Sequence, residues 1–189
     1  MSKKSYRKKF GDYQQGYLSA FSIFRQPLAQ KLDPVLSTED HSKLQDAVAK
    51  SRKGQLVTLL LNKQTIANKA LIINTIARLS SKELCVVDCS ELTSKYIGET
   101  EKNLAKIFAD AQTHNWVLFF DEADALFGRD TKGAANHEQF ANQQVSYLFK
   151  LLSQHAGLYV LAVDQPMWSE TLQTRVTYSL KSLPMPKLA

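Results

Sequence analysis

Five short runs that are apolar almost throughout constrain this chain more than any other feature: Leu56 to Leu61, Leu84 to Val87, Val117 to Phe120, Leu158 to Val163 and, more weakly, Tyr178 to Leu183. A strand with one face in water alternates polar and apolar residues, whereas a run without alternation needs cover on both faces. The segments between the runs supply that cover. Ser37 and Thr38 offer N-caps to a helix whose first turn holds Glu39 and Asp40, whose buried face is Leu44, Ala47 and Val48, and which ends before Gly54. Further helical stretches carry Ile72, Ile73, Ile76 and Leu79, or run from about Glu101 to Thr113 and from Gln139 to Gln154. Strand and helix in alternation predict an α/β fold of three layers, a parallel sheet of about five strands with helices on both faces. Ligands of such sheets bind beyond the carboxyl ends of the strands, so chemistry is sought just after each run.

Composition narrows the class. With 189 residues, 44% of them apolar, and only 7 Gly and 5 Pro, the chain can bury a sizeable core and is neither disordered nor of low complexity. No apolar stretch reaches the ~20 residues of a membrane span or forms the h-region of an export signal. Net charge is +6, but Lys3, Lys4, Arg7, Lys8 and Lys9 account for five of the 24 basic residues, leaving 19 against 18 acidic ones elsewhere. Any contact with nucleic acid or an acidic surface therefore falls to residues 3–9, which read otherwise as a solvated tail. The expected division is a basic N-terminal tail and linker over 1–36 and an α/β core over 37–189. Within the tail, Tyr13, Tyr17, Phe21 and Phe24 recur at helix-like intervals and suggest a short docked helix. Cys85 and Cys89 are the only cysteines. Four residues of strand rise ~13 Å, too far for a disulfide, so they read as reduced core thiols of a cytoplasmic protein.

The strand ends carry the chemistry. The third run finishes in Asp121-Glu122, and two carboxylates at the end of a buried strand are costly unless a cation, water or a helix N-terminus receives them. Four apolar residues followed by Asp-Glu is the Walker B pattern of nucleotide hydrolases; an acidic strand end can also simply cap the next helix. The first run is then expected to lead into a phosphate loop, G-x-x-x-x-G-K-[ST], whose glycines turn backbone N–H groups toward phosphate. The residues there are Lys63-Gln64-Thr65-Ile66-Ala67-Asn68-Lys69-Ala70. Lys69 alone survives: Asn68 stands for the second glycine, a β-branched Ile66 lies within the loop, and Ala70 has no hydroxyl for Mg2+. Lys69 has two readings, a phosphate contact or a structural ion pair with Asp121.

Ser94 to Leu104 (SKYIGETEKNL) and Val117 to Gly128 (VLFFDEADALFG) closely resemble the AAA ATPases, in particular bacterial AAA proteins of the central-domain type, over about Gln55 to Pro186. The resemblance implies a P-loop core like the AAA large subdomain, with Asp121 as Mg2+ ligand, Glu122 as catalytic carboxylate, Lys69 and Asn68 at the phosphates, and ATP with Mg2+ as cofactor wherever nucleotide binds. It also implies a pore loop, Lys95-Tyr96-Ile97-Gly98, that grips extended polypeptide in a ring; for an isolated subunit, Tyr96 reads equally as a packed aromatic. Ala134 to Leu148 resembles the segment that follows Walker B in the bacterial group. Departures accompany the matches. Asp164 occupies the sensor position, usually Asn, and adds negative charge near a γ-phosphate; Arg175 is what remains of the arginine-finger region; and the resemblance stops before the helical lid and its sensor arginine, so a lid is not expected. Phosphoryl transfer needs several such groups together, so hydrolysis is expected to be weak or absent. Three functions follow: an interaction or regulatory module working with a protein partner or an AAA oligomer, an active ATPase with a divergent phosphate loop, or a nucleic-acid adaptor using its tail.

Overall fold

In the computed structural model, residues 13–15, 21–24, 34–93, 98–127, 135–165, 170 and 172–181 are described. Parallel strands form from the expected runs: β3 (Leu56–Asn62), β4 (Leu84–Asp88), β5 (Val117–Asp121), β6 (Gly157–Val163) and β7 (Tyr178–Lys181). Between them lie α1 (Thr38–Arg52), which precedes β3, α2 (Ile66–Ser80), the single turn α3 (Cys89–Leu92), α4 (Glu99–His114), a 3-10 turn over Ala123–Phe127, and α5 (Ala135–Gln154). Sequence chemistry explains the boundaries. Ser37 caps α1 by accepting from the Asp40 N–H at 3.0 Å, and Thr65 caps α2 by accepting from Asn68 N–H at 3.2 Å. Gly98, at φ 78°, sits in the left-handed region immediately before α4.

Two further strands come from the segment expected to be tail. β1 (Tyr13–Gln15) and β2 (Phe21–Phe24) pair antiparallel, and β2 lies antiparallel on the outer edge of β4, with Phe21 opposite Val87 and Phe24 opposite Leu84. The helix suggested by the aromatic spacing is therefore corrected. Four aromatics in a segment this short do not distinguish a helix from two strands of three or four residues. The basic residues 3–9 and the loop residues Lys95, Tyr96 and Ile97 lie outside the described residues.

The sheet runs β1-β2-β4-β5-β6-β3-β7. Alternate side chains of each strand divide the core in two. Leu59, Leu61, Val86, Phe119 and Val160 pack with Leu44 and Val48 of α1 and Ile72, Ile73 and Ile76 of α2. On the other face Leu60, Val87, Phe120, Leu161 and Val163 pack with Leu104 and Phe108 of α4 and Leu148 and Leu152 of α5. The central strands thus meet apolar neighbours on both faces, as runs without alternation require. Cys85 and Cys89 are buried and free, and burial raises both thiols. No helix among the described residues is long and apolar enough to cross a membrane.

Candidate functional site

β3 lies between β6 and β7, although the chain passes from β3 to the far strand β4 and returns through β5 and β6. The order reverses at β3, and the crevice at its carboxyl end is where a doubly wound sheet binds ligands. The register fixes what meets there. Leu60, Leu161 and Phe120 lie side by side across β3, β6 and β5, so Asp121 emerges one residue past that row, on the face covered by α2.

Lys69, in the first turn of α2, reaches Asp121: Nζ stands 2.8 Å from Oδ1, and the two side chains are 5% and 4% exposed. The ion pair expected as one reading of Lys69 is present. Its amide is engaged too, donating to the Thr65 carbonyl at 2.8 Å. The helix therefore begins at Ile66, three residues before the lysine, and only Lys63, Gln64 and Thr65 separate it from β3. Lys63 holds the left-handed conformation at φ 50°; Asn68 is helical instead of occupying the positive-φ position that the motif gives its second glycine. Its carboxamide binds the backbone of Val35 and the side chain of Gln64. Gln64 is buried, and its Nε2 has no acceptor among the described residues.

Glu122 follows Asp121 with φ 50° and is half-buried, its carbonyl accepting from Ala125 N–H at 2.9 Å. The turn this makes brings Asp124 to the end of β6, where its two oxygens accept from the backbone N–H of Asp164 at 2.7 Å and of Gln165 at 3.2 Å. Burial holds the Asp124 carboxyl above its ordinary range, the two backbone donors oppose that shift, and the Asp164 charge adds to it. The Asp164 carboxylate is exposed. Behind the strand ends, burial first and then the charges of Asp121, Asp88, Glu122 and Asp124 raise the Cys89 thiol. Among the described residues, no group of three or more His, Cys, Asp or Glu side chains is placed to hold a metal ion.

Arg175 precedes β7, donates its N–H to the Leu172 carbonyl at 2.8 Å, and lays its guanidinium over the Phe149 ring of α5 at 5.1 Å. Gly98 is the one residue of the Lys95-Tyr96-Ile97-Gly98 segment that is described. Three residues that shape the site had escaped the sequence reading: Val35, Gln64 and Asp124. Only Asp124 carried a signal, as a third acid three positions after Asp121.

A parallel sheet in this order, with an acidic pair after one strand and a lysine-bearing helix after another, is that of the P-loop fold. Residues 67–171 match the family described as "ATPase family associated with various cellular activities (AAA)", and the chain belongs to that family. It is 34% identical over 103 residues to the ATPase family gene 2 protein of Schizosaccharomyces pombe, a match covering 52% of this chain and 12% of that protein. It is 30% identical over 125 residues to Fidgetin-like protein 1 of Xenopus laevis, covering 63% of this chain and 19% of that protein. The matched stretch is thus less than a fifth of either relative. Among solved structures, the FIGL-1 AAA domain in complex with ADP superimposes with a TM-score of 0.63 at 20% identity, over 87% of this chain and 59% of that one.

Proposed function

We propose that this domain is an AAA-family module in which the phosphate loop has been closed, so that ATP is bound and hydrolysed weakly or not at all, and that it acts through interaction with a protein partner or an AAA oligomer. The observation that carries this reading is the buried Lys69–Asp121 pair, which commits the lysine otherwise meant for phosphate and one oxygen of the carboxylate otherwise meant for Mg2+. The remaining loop groups support it. Thr65 takes the N–H groups of Asn68 and Lys69, Ala70 offers Mg2+ no hydroxyl, and Gln64 Nε2 is a single buried donor where a triphosphate needs a nest. MgATP does not fit the residues as they stand. Negative charge from Asp121, Glu122, Asp124 and Asp164 opposes a polyphosphate further. The bacterial central-domain type, a cytoplasmic setting and a pore-loop role for Lys95, Tyr96, Ile97 and Gly98 belong to the same reading.

The test is thermal. Ligand at about 100 times its dissociation constant stabilises by ~2.7 kcal/mol, which in a chain this size is about 5 to 10 °C. The melting curve should stay flat up to millimolar MgATP. A second reading, an active ATPase with a divergent loop, is favoured by the retained Asp121-Glu122 pair. It requires that shift and a turnover that Glu122→Gln abolishes while the shift persists.

A further inference from the structure

The near-neutral charge of the chain outside residues 3–9 conceals a segregation that the fold reveals. α1 leads into the amino end of β3 and α2 into the amino end of β4, and both helices pack on the same face of the sheet. Their C-termini therefore share one pole of the domain, and a helix C-terminus favours cations. Arg52 and Lys53 end α1, while Arg78 lies in the last turn of α2 and Lys82 just beyond it. The first three are exposed and Lys82 is half-buried. β3 and β4 are three positions apart in the sheet, so the strands these ends lead into are separated by about 14 Å.

The acids of this pole are engaged locally. Asp46 pairs with Lys50 at 3.1 Å and accepts from the Tyr178 phenol, and Glu83 accepts from the Trp116 indole N–H at 2.9 Å. Burial lowers the Lys82 ammonium, and no carboxylate opposes that shift. Glu122, Asp124 and Asp164 lie at the other pole, past the carboxyl ends of β5 and β6. β1 brings the basic tail to the cationic pole. It runs antiparallel to β2, and β2 antiparallel to β4, so β1 is parallel to β4. Its first residue, Tyr13, pairs with Phe24, which lies opposite Leu84 at the start of β4. Lys3, Lys4, Arg7, Lys8 and Lys9 thus join the fold at the strand into which α2 leads. Tyr6 and Phe10 are interleaved with them in sequence, and Asp12 is the single acid ahead of β1.

We propose that this pole, the tail together with the ends of α1 and α2, binds single-stranded nucleic acid. Cations from three separate segments can neutralise successive phosphates, and aromatic rings among them offer a stacking surface to unpaired bases. A duplex keeps its bases stacked on one another, and a lipid headgroup has none to stack. The proposal goes beyond the phosphate loop, which lies at the opposite pole.

The experiment follows fluorescence anisotropy of a labelled oligothymidylate of about 20 nucleotides with the full chain, from roughly 50 to 200 mM salt. Each phosphate neutralised on a single strand contributes about 0.7 to the fall of log K with log salt. Five tail charges and four at the helix ends predict a slope of about −6. Deleting residues 1–9 should leave weaker binding with a slope of about −3. Arg52→Gln, Lys53→Gln, Arg78→Gln and Lys82→Gln together should bring the slope of the full chain to about −3.5. If that variant melts early, Arg52→Gln with Arg78→Gln, both at exposed positions, should still remove about 1.4. An unchanged slope in the helix-end variants, or loss of all binding with the tail, means that the tail acts alone and overturns the shared surface. No binding at the lowest salt overturns it outright. Vesicles of about one third phosphatidylserine are the rival surface: retention on them without oligonucleotide binding assigns the pole to lipid and defeats the proposal.

Discussion

At the scale of single residues, the decisive pair is Lys69 with Asp121. Both charges are buried, and breaking such a pair leaves one of them uncompensated in a medium that solvates it poorly. Lys69→Met should therefore cost about 3–5 kcal/mol in urea unfolding, and adding Asp121→Leu should recover most of the loss, because the second change removes the stranded carboxylate. If the single variant loses under 1 kcal/mol, the pair is not holding the strand ends together. A second residue reports on pH. Burial pushes the Tyr159 phenol, stacked on Phe108 at 5.3 Å, from 10.0 up to about 12. Unfolded chains then release the proton before folded ones, so the contribution of Tyr159 is whole below pH 10 and is lost as pH rises toward 12. Tyr159→Phe should flatten the fall in stability over that interval relative to wild type, measured by denaturant midpoints at each pH. Asp121, Glu122 and Lys69 were legible in the sequence because their places follow from strand ends and motif spacing. Val35 was not, because its hydrogen bonds with Asn68 span 33 positions, which no local pattern encodes; Gln64 meets Asn68 only four positions on, but nothing in its residue type marked it out.

Among the elements, those with cover on both faces could be read in advance and those at the margin could not. β3 to β6 announce themselves because unbroken apolar runs have few alternatives, and Ser37 and Gly54 mark the ends of α1 by their own conformational chemistry. α3 escaped notice because it is a single turn organised by one side chain, Asp88, which accepts from Ser90 N–H at 3.0 Å and Glu91 N–H at 3.3 Å. β1 and β2 escaped because three or four residues are too few to establish a period. The entry to α4 offers a test of what its glycine is for. A Cβ built on Gly98 meets nothing within 4 Å, yet the backbone stands at φ 78°. Gly98→Ala should therefore cost about 1 kcal/mol through conformation alone, seen as a fall of about 2–4 °C in melting temperature, with α4 otherwise intact by circular dichroism. A loss several times larger would mean that the residue also accommodates a neighbouring group.

For the molecule as a whole, the sheet's edges decide how the domain behaves in solution. β3, β5 and β6 are shielded by strands on either side, but β4 would be an exposed edge without the hairpin of β1 and β2. Its residues Leu84, Cys85, Val86 and Val87 are apolar and carry no charge that would discourage another chain from pairing. β2 occupies that edge antiparallel over four residue pairs, from Phe21–Val87 to Phe24–Leu84. The core alone satisfies the helices, so removing the hairpin should leave a folded domain with one apolar strand uncovered. Deleting residues 1–24 should then reduce stability by roughly 2 kcal/mol or more, from ladder bonds worth about 0.5–1 kcal/mol each, and should turn the protein toward concentration-dependent association in sedimentation at micromolar concentration. Restoring the hairpin should return the truncated chain to its former sedimentation behaviour. A truncated domain that sediments as the full chain does and unfolds at the same denaturant concentration would show that β4 needs no cover, and that the N-terminal strands contribute nothing to the sheet they join.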